Sequence, residues 1–107
     1  MLTPSDKAAI AEYMGWVYHE TDDKKWWNII GKDGATHLLD LNDAALCVEK
    51  MVEKGDWDRF HDYTRDIWWD IPEYKNRIFF LHNYKFTAWL FNPDNFFTAM
   101  SAWLRSK

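Results

Sequence analysis

A chain of 107 residues with 48% hydrophobic residues can bury one real core, and residues 1–107 read as a single domain. Aromatics supply 19% of it, with eight tryptophans, so apolar burial can offset chain entropy and disorder is excluded. The formal net charge of −4 argues against a protein that grips duplex DNA by neutralising phosphates. A single cysteine, Cys47, excludes an intrachain disulfide framework and reads as a buried thiol in a reducing compartment.

The N-terminus has no basic stretch followed by an apolar core, and no apolar run approaches the ~20 residues that span a bilayer. A cytoplasmic protein, away from the membrane, is therefore expected. Thr3, Pro4 and Asp6 start a helix over 4–14: Thr3 is the N-cap, Pro4 takes the first helical position, and Asp6 completes a capping box. Gly15 suits the left-handed residue that ends it. Two β-prone runs, Trp16 to Glu20 and Trp26 to Ile30, predict a hairpin, and the turn Gly31 to Gly34 leads towards a third short strand, Thr36 to Leu39. The GKDG turn lacks the glycine-lysine-hydroxyl arrangement of a phosphate loop, and no cofactor motif is present.

Asn42 is the expected N-cap of a helix over 43–54 with Ala44, Cys47, Val48, Met51 and Val52 on one side and Glu49, Lys50, Glu53 and Lys54 on the other, ending at Gly55. Asp56 follows as the cap of the next helix, residues 57–70. Winding this stretch at roughly 100° per residue gathers Trp57, Phe60, Tyr63, Thr64, Ile67 and Trp68 on one face and Asp58, Asp62, Asp66 and Asp70 on the other. Trp69 falls among the carboxylates. Residues 56–70 hold five Asp against two Arg, with Arg65 in reach of Asp62, so most of the net charge lies on this helix.

Ile71-Pro72 stops the acidic helix, and a loop, Glu73 to Asn76, follows. Ile78 to His82 and Phe86 to Phe91 read as strands joined near Asn83-Tyr84, the second apolar on both faces and so in need of cover on both sides. Asn92-Pro93 opens a last helix to residue 105, with Phe96, Phe97, Met100, Trp103 and Leu104 inward and Thr98, Ser101 and Arg105 outward. The predicted fold class is α+β, a small antiparallel sheet covered by helices on both faces.

Three runs resemble the phage ABA sandwich family of small bacteriophage and prophage proteins: Gly15-Trp16 after the first helix, Leu41-Asn42-Asp43-Ala44-Ala45 continuing into Val48-Glu49-Lys50-Met51, and Phe97-Thr98-Ala99-Met100-Ser101-Ala102-Trp103-Leu104. The resemblance implies a helix-sheet-helix layering and a phage accessory role. It implies no catalytic motif, and the dense aromatics of residues 57–91 depart from it.

Four constellations could carry chemistry. The carboxylate stripe repels itself along the helix, and in exchange offers an acidic docking surface, Asp58, Asp62, Asp66 and Asp70 with Trp69 as anchor, for a host protein with a basic surface. A second set, Asp58, His61 and Asp62, has metal-ligand spacing within one turn but lacks partner ligands, and Asp22-Asp23 lacks the spacing of a calcium loop, so no metal is expected. His19, His37, His61 and His82 are scattered, and Ser5, Ser101 and Ser106 sit in no nucleophile elbow, so no enzyme is expected. Last, Lys24-Lys25-Trp26-Trp27 and Tyr84-Lys85-Phe86 interleave basic and aromatic residues, which suits stacking on a small ligand or single-stranded nucleic acid, chiefly through Trp26, Trp27 and Trp89. The first reading is preferred: a non-catalytic phage or prophage accessory protein, for instance an inhibitor of a host defence nuclease. The alternatives are the aromatic ligand-binding module and a structural homodimer closed by aromatic surface.

Overall fold

The first helix starts and stops where the sequence places its signals. In the computed structural model, which describes residues 2–22, 27–70 and 86–106, helix α1 covers Pro4–Met14. Thr3 Oγ1 accepts from the Asp6 N–H at 3.2 Å and the Thr3 N–H donates to Asp6 Oδ2 at 2.7 Å, the reciprocal capping box. At the other end Gly15 takes φ 74°, and the N–H groups of Gly15 and Trp16 close the helix on Glu12 O and Ala11 O.

Strands β1 (Val17–Glu20) and β2 (Trp27–Ile30) pair antiparallel, Val17 opposite Ile30 and Glu20 opposite Trp27. The hairpin packs against α1 and the last helix, α4 (Pro93–Arg105), and its Ile29 is fully enclosed. Cover is one-sided at β1, where Val17 and His19 are exposed and Tyr18 and Glu20 are half-buried. The expected third strand is reduced to one bridge, Ile30 to Thr36. The chain there turns away because the Asp43 carboxylate takes the Leu39 N–H at 2.8 Å, with Leu39 at φ 58°.

The backbone N–H of Asp43 marks the start of the next helix. Helix α2 covers Leu41–Lys54, and its cap is Asp40 rather than the expected Asn42: Asp40 Oδ1 accepts from the Asp43 N–H at 3.0 Å. Gly55, at φ 76°, ends α2, and Asp56 leads into α3 (Trp57–Trp69). Asp56 makes no capping bond, contrary to expectation. Its carboxylate instead accepts from Tyr13 Oη at 2.8 Å, which ties α1 to the α2–α3 corner. Burial, and then Asp56, push the Tyr13 phenol well above its usual range.

The expected strand Phe86 to Phe91 is a further correction. Residues 86–90 are helical, and Phe86 and Leu90, one turn apart, are both buried. An apolar run this continuous satisfies either period, and the partners decide: the Phe86 ring meets His61 at 5.3 Å and Trp68 at 5.5 Å. The companion strand Ile78 to His82, the Asn83-Tyr84 turn, Ile71-Pro72 and the Glu73 to Asn76 loop lie outside the described residues. Asn92 then caps α4, its Oδ1 accepting from the Asp94 and Asn95 N–H groups.

Helix α4 packs on α1, α2 and α3. Phe60 of α3 meets Phe96 and Trp103 edge-on at 5.4 and 5.5 Å, and Tyr13 meets Trp103 at 5.8 Å. Ser101, expected outward, is buried: its Oγ donates to Asp6 Oδ1 at 2.5 Å, and Arg105 Nη2 reaches the same oxygen at 2.6 Å. Burial acts to raise the Asp6 pKa, but the bonds from Ser101 and Thr3 and the Arg105 charge outweigh it and hold the carboxyl below its ordinary value. Cys47 is enclosed, as expected, and burial followed by the nearby Asp43 charge pushes its thiol up to about 12.

Candidate functional site

Helix α3 sorts its residues as the helical period requires. Phe60, Thr64 and Trp68 are buried, and Trp57, Tyr63 and Ile67 pack half-buried beside them against α2 and α4. Asp58, Asp62, Asp66 and Asp70 are all exposed on the opposite side. Trp69 stands among them at 42% exposure, its ring 6.1 Å from that of Trp68. The structure thus brings the five predicted partner-binding residues onto one solvent-facing surface.

Among the described residues the ion pairs are His37 with Asp43 and Arg105 with Asp6, and neither includes one of the four stripe carboxylates. The helix dipole adds to the imbalance. Asp58 lies in the first turn, where the positive helix end favours a carboxylate, but Asp66 and Asp70 lie at the negative end and no basic residue occupies the last turn. Three like-charged neighbours at i, i+4 spacing and two carboxylates on the wrong helix end make this face electrostatically unfavourable in isolation. A cationic surface brought against it would relieve both effects.

The other predicted constellations are dispersed. His61 is flanked by Trp57 at 5.5 Å and Phe86 at 5.3 Å, and among the described residues no group of three or more His, Cys, Asp or Glu is placed to hold a metal ion. Trp26 lies outside the described residues. Trp27 is half-buried on β2 with Lys7 Nζ 4.2 Å from its ring centroid, whereas Trp89 is half-buried on the helical 86–90 segment, stacked at 6.3 Å on Phe86. Trp27 and Trp89 line separate cavities and make no common stacking platform. His19 is exposed, His82 lies outside the described residues, Ser5 is exposed, and Ser106 Oγ donates to Trp103 O.

One constellation escaped the sequence reading. His37 Nδ1 lies 2.7 Å from Asp43 Oδ1, both side chains are buried, and the Trp16 ring stacks on the imidazole at 3.8 Å and 10°. Gly31 packs against the far side of the ring, where an added Cβ would come within 2.5 Å of Nε2. His37 lies in a loop without periodicity and Asp43 in the first turn of α2, so no spacing rule joins them. The pair pins the 37–43 segment.

No described helix is long and apolar enough to cross a membrane. Comparison of the chain with protein-family models, with curated proteins and with solved structures finds no match.

Proposed function

We propose that this protein is a non-catalytic binding protein that docks the acidic face of α3, Asp58, Asp62, Asp66, Asp70 and Trp69, on a basic surface of a partner protein. The observation that supports it is the joint exposure of a tryptophan and four carboxylates, none of them in an ion pair among the described residues, on a helix whose other face is buried. Helical geometry sets successive carboxylates about 6 Å apart along the axis, a spacing suited to a groove lined by Lys and Arg. Trp69 supplies the apolar area whose desolvation would slow dissociation, and the carboxylates supply steering and register. A phage or prophage accessory protein acting on a host protein, such as a defence nuclease whose nucleic-acid groove it fills, is the biological form of this reading. That origin rests on the family resemblance of the three sequence runs.

The test is affinity capture from a bacterial lysate with tagged wild type beside a variant carrying Asp58→Asn, Asp62→Asn, Asp66→Asn and Asp70→Asn. A basic or nucleic-acid-handling protein retained by the wild type and lost by the variant, at equal circular dichroism, is the expected result. Trp69→Ala is expected to keep the salt-sensitive encounter but dissociate faster. Equal retention by the wild type and the four-Asn variant would overturn the proposal.

A further inference from the structure

A cavity of about 360 Å³ opens between α1, β2, residues 38–39 and the start of α4, well apart in sequence from the acidic helix. Trp27, Leu38, Leu39 and Phe97 give it apolar walls, while Lys7 and Asp94 bring one ammonium and one carboxylate to its lining. Lys7 Nζ stands over the Trp27 ring, 4.2 Å from the centroid. Among the described residues neither Lys7 nor Asp94 takes part in an ion pair, so both charges are available to a ligand.

The wall at residues 38–39 is held in an unfavourable conformation. Leu39 has φ 58°, a left-handed backbone that L side chains other than Asn and Asp rarely adopt. Its N–H is fixed by Asp43 Oδ2 at 2.8 Å, and Asp43 is in turn fixed by His37 under the Trp16 ring. This bracing turns Leu39 into the wall and leaves Leu38 70% exposed beside the opening. A braced, strained backbone that holds apolar side chains around a cavity lined by two charges outside any described ion pair has the construction of a ligand site.

From these observations we infer that the cavity binds a small zwitterion with one aromatic or branched apolar side chain: its carboxylate meets Lys7, its ammonium meets Asp94, and its apolar group lies among Trp27, Leu38, Leu39 and Phe97. Volume sets the size class, since ligand cavities run from about 300 to 1,000 Å³ and this one is near the lower end. Charge sets the chemistry. A simple anion attracted to Lys7 is repelled by Asp94, a simple cation suffers the reverse, and only a ligand carrying both signs answers both groups. A free amino acid and a dipeptide share this chemistry.

Titration calorimetry on the full chain would compare L-phenylalanine, the dipeptide Phe-Gly, 3-phenylpropionate and phenethylamine. One or both zwitterions should bind, and each singly charged analogue should bind about tenfold more weakly, the size of one lost charge-assisted hydrogen bond. Whichever zwitterion binds identifies the source. Lys7→Met should erase the preference over phenethylamine and Asp94→Asn the preference over 3-phenylpropionate, with circular dichroism unchanged. The four-Asn variant of α3 should bind as the wild type does, which separates this site from the docking face. Absence of binding by both zwitterions at millimolar concentration, or equal binding of all four probes, would overturn the inference.

Discussion

Replacing Asp66 and Asp70 together by Asn should make the protein more stable, not less. The change removes the like-charge pairs Asp62–Asp66 and Asp66–Asp70, each worth a few tenths of a kcal/mol on a helix surface. It also removes two carboxylates from the negative end of the α3 dipole, each costing about 0.3–1 kcal/mol at low ionic strength. No ion pair is lost, because among the described residues neither carboxylate has one. After allowance for solvent screening of exposed charges the gain is about 1 kcal/mol, which raises the melting temperature by about 4–8 °C for a domain of this size. Thermal unfolding followed by circular dichroism reads it directly. The gain should shrink in 1 M salt, where the screening length falls to about 3 Å. Asp58→Asn should act in the opposite sense, because Asp58 occupies the favourable first turn. A double variant that melts at or below the wild-type temperature in low salt would refute the argument that this face is electrostatically uncompensated. It would also remove the reason to expect a cationic partner there.

Three further predictions concern Asp6 and Cys47. Asp6→Ala removes the acceptor of the Thr3 N–H, half of the α1 capping box, and leaves Ser101 and Arg105 without their shared acceptor, so urea unfolding should show a loss of about 2 kcal/mol. Because the folded Asp6 pKa lies below its ordinary value, its contribution is fully present above about pH 4 and disappears as pH falls through the folded value; the stability gap between wild type and Asp6→Asn should therefore narrow in acid. Cys47, buried and with its thiol pushed up to about 12, should resist a thiol reagent at pH 8 in the native protein and react at once in denaturant. Rapid labelling of the native protein would contradict its burial.

Helices announce themselves in this chain because their signals are local. Thr3, Pro4 and Asp6 can cap α1 with no help from elsewhere, Gly15 and Gly55 supply the left-handed stop, and Asn92-Pro93 starts α4 within three residues. The face of α3 was legible for the same reason: a period of 3.6 separates Asp58, Asp62, Asp66, Trp69 and Asp70 from Phe60, Thr64 and Trp68 whatever packs against them, and the observed exposures follow that division. Cys47 was legible too, since its burial comes from its position on the apolar side of α2.

Tertiary structure decided everything that needed a distant partner. Asp56 left its capping role because Tyr13, 43 residues away, takes its carboxylate. Ser101 looks like an outward polar residue until Asp6, 95 residues earlier, is placed beside it. Residues 86–90 became helix rather than strand because His61 and Trp68 offer their rings to Phe86. The cavity of Lys7, Trp27, Leu38 and Asp94 draws on four elements spread over most of the chain. Periodicity and capping are properties of a dozen consecutive residues, whereas a buried hydrogen bond or a cavity exists only after the chain has closed on itself, and its free energy is large enough to override a local preference of a few tenths of a kcal/mol.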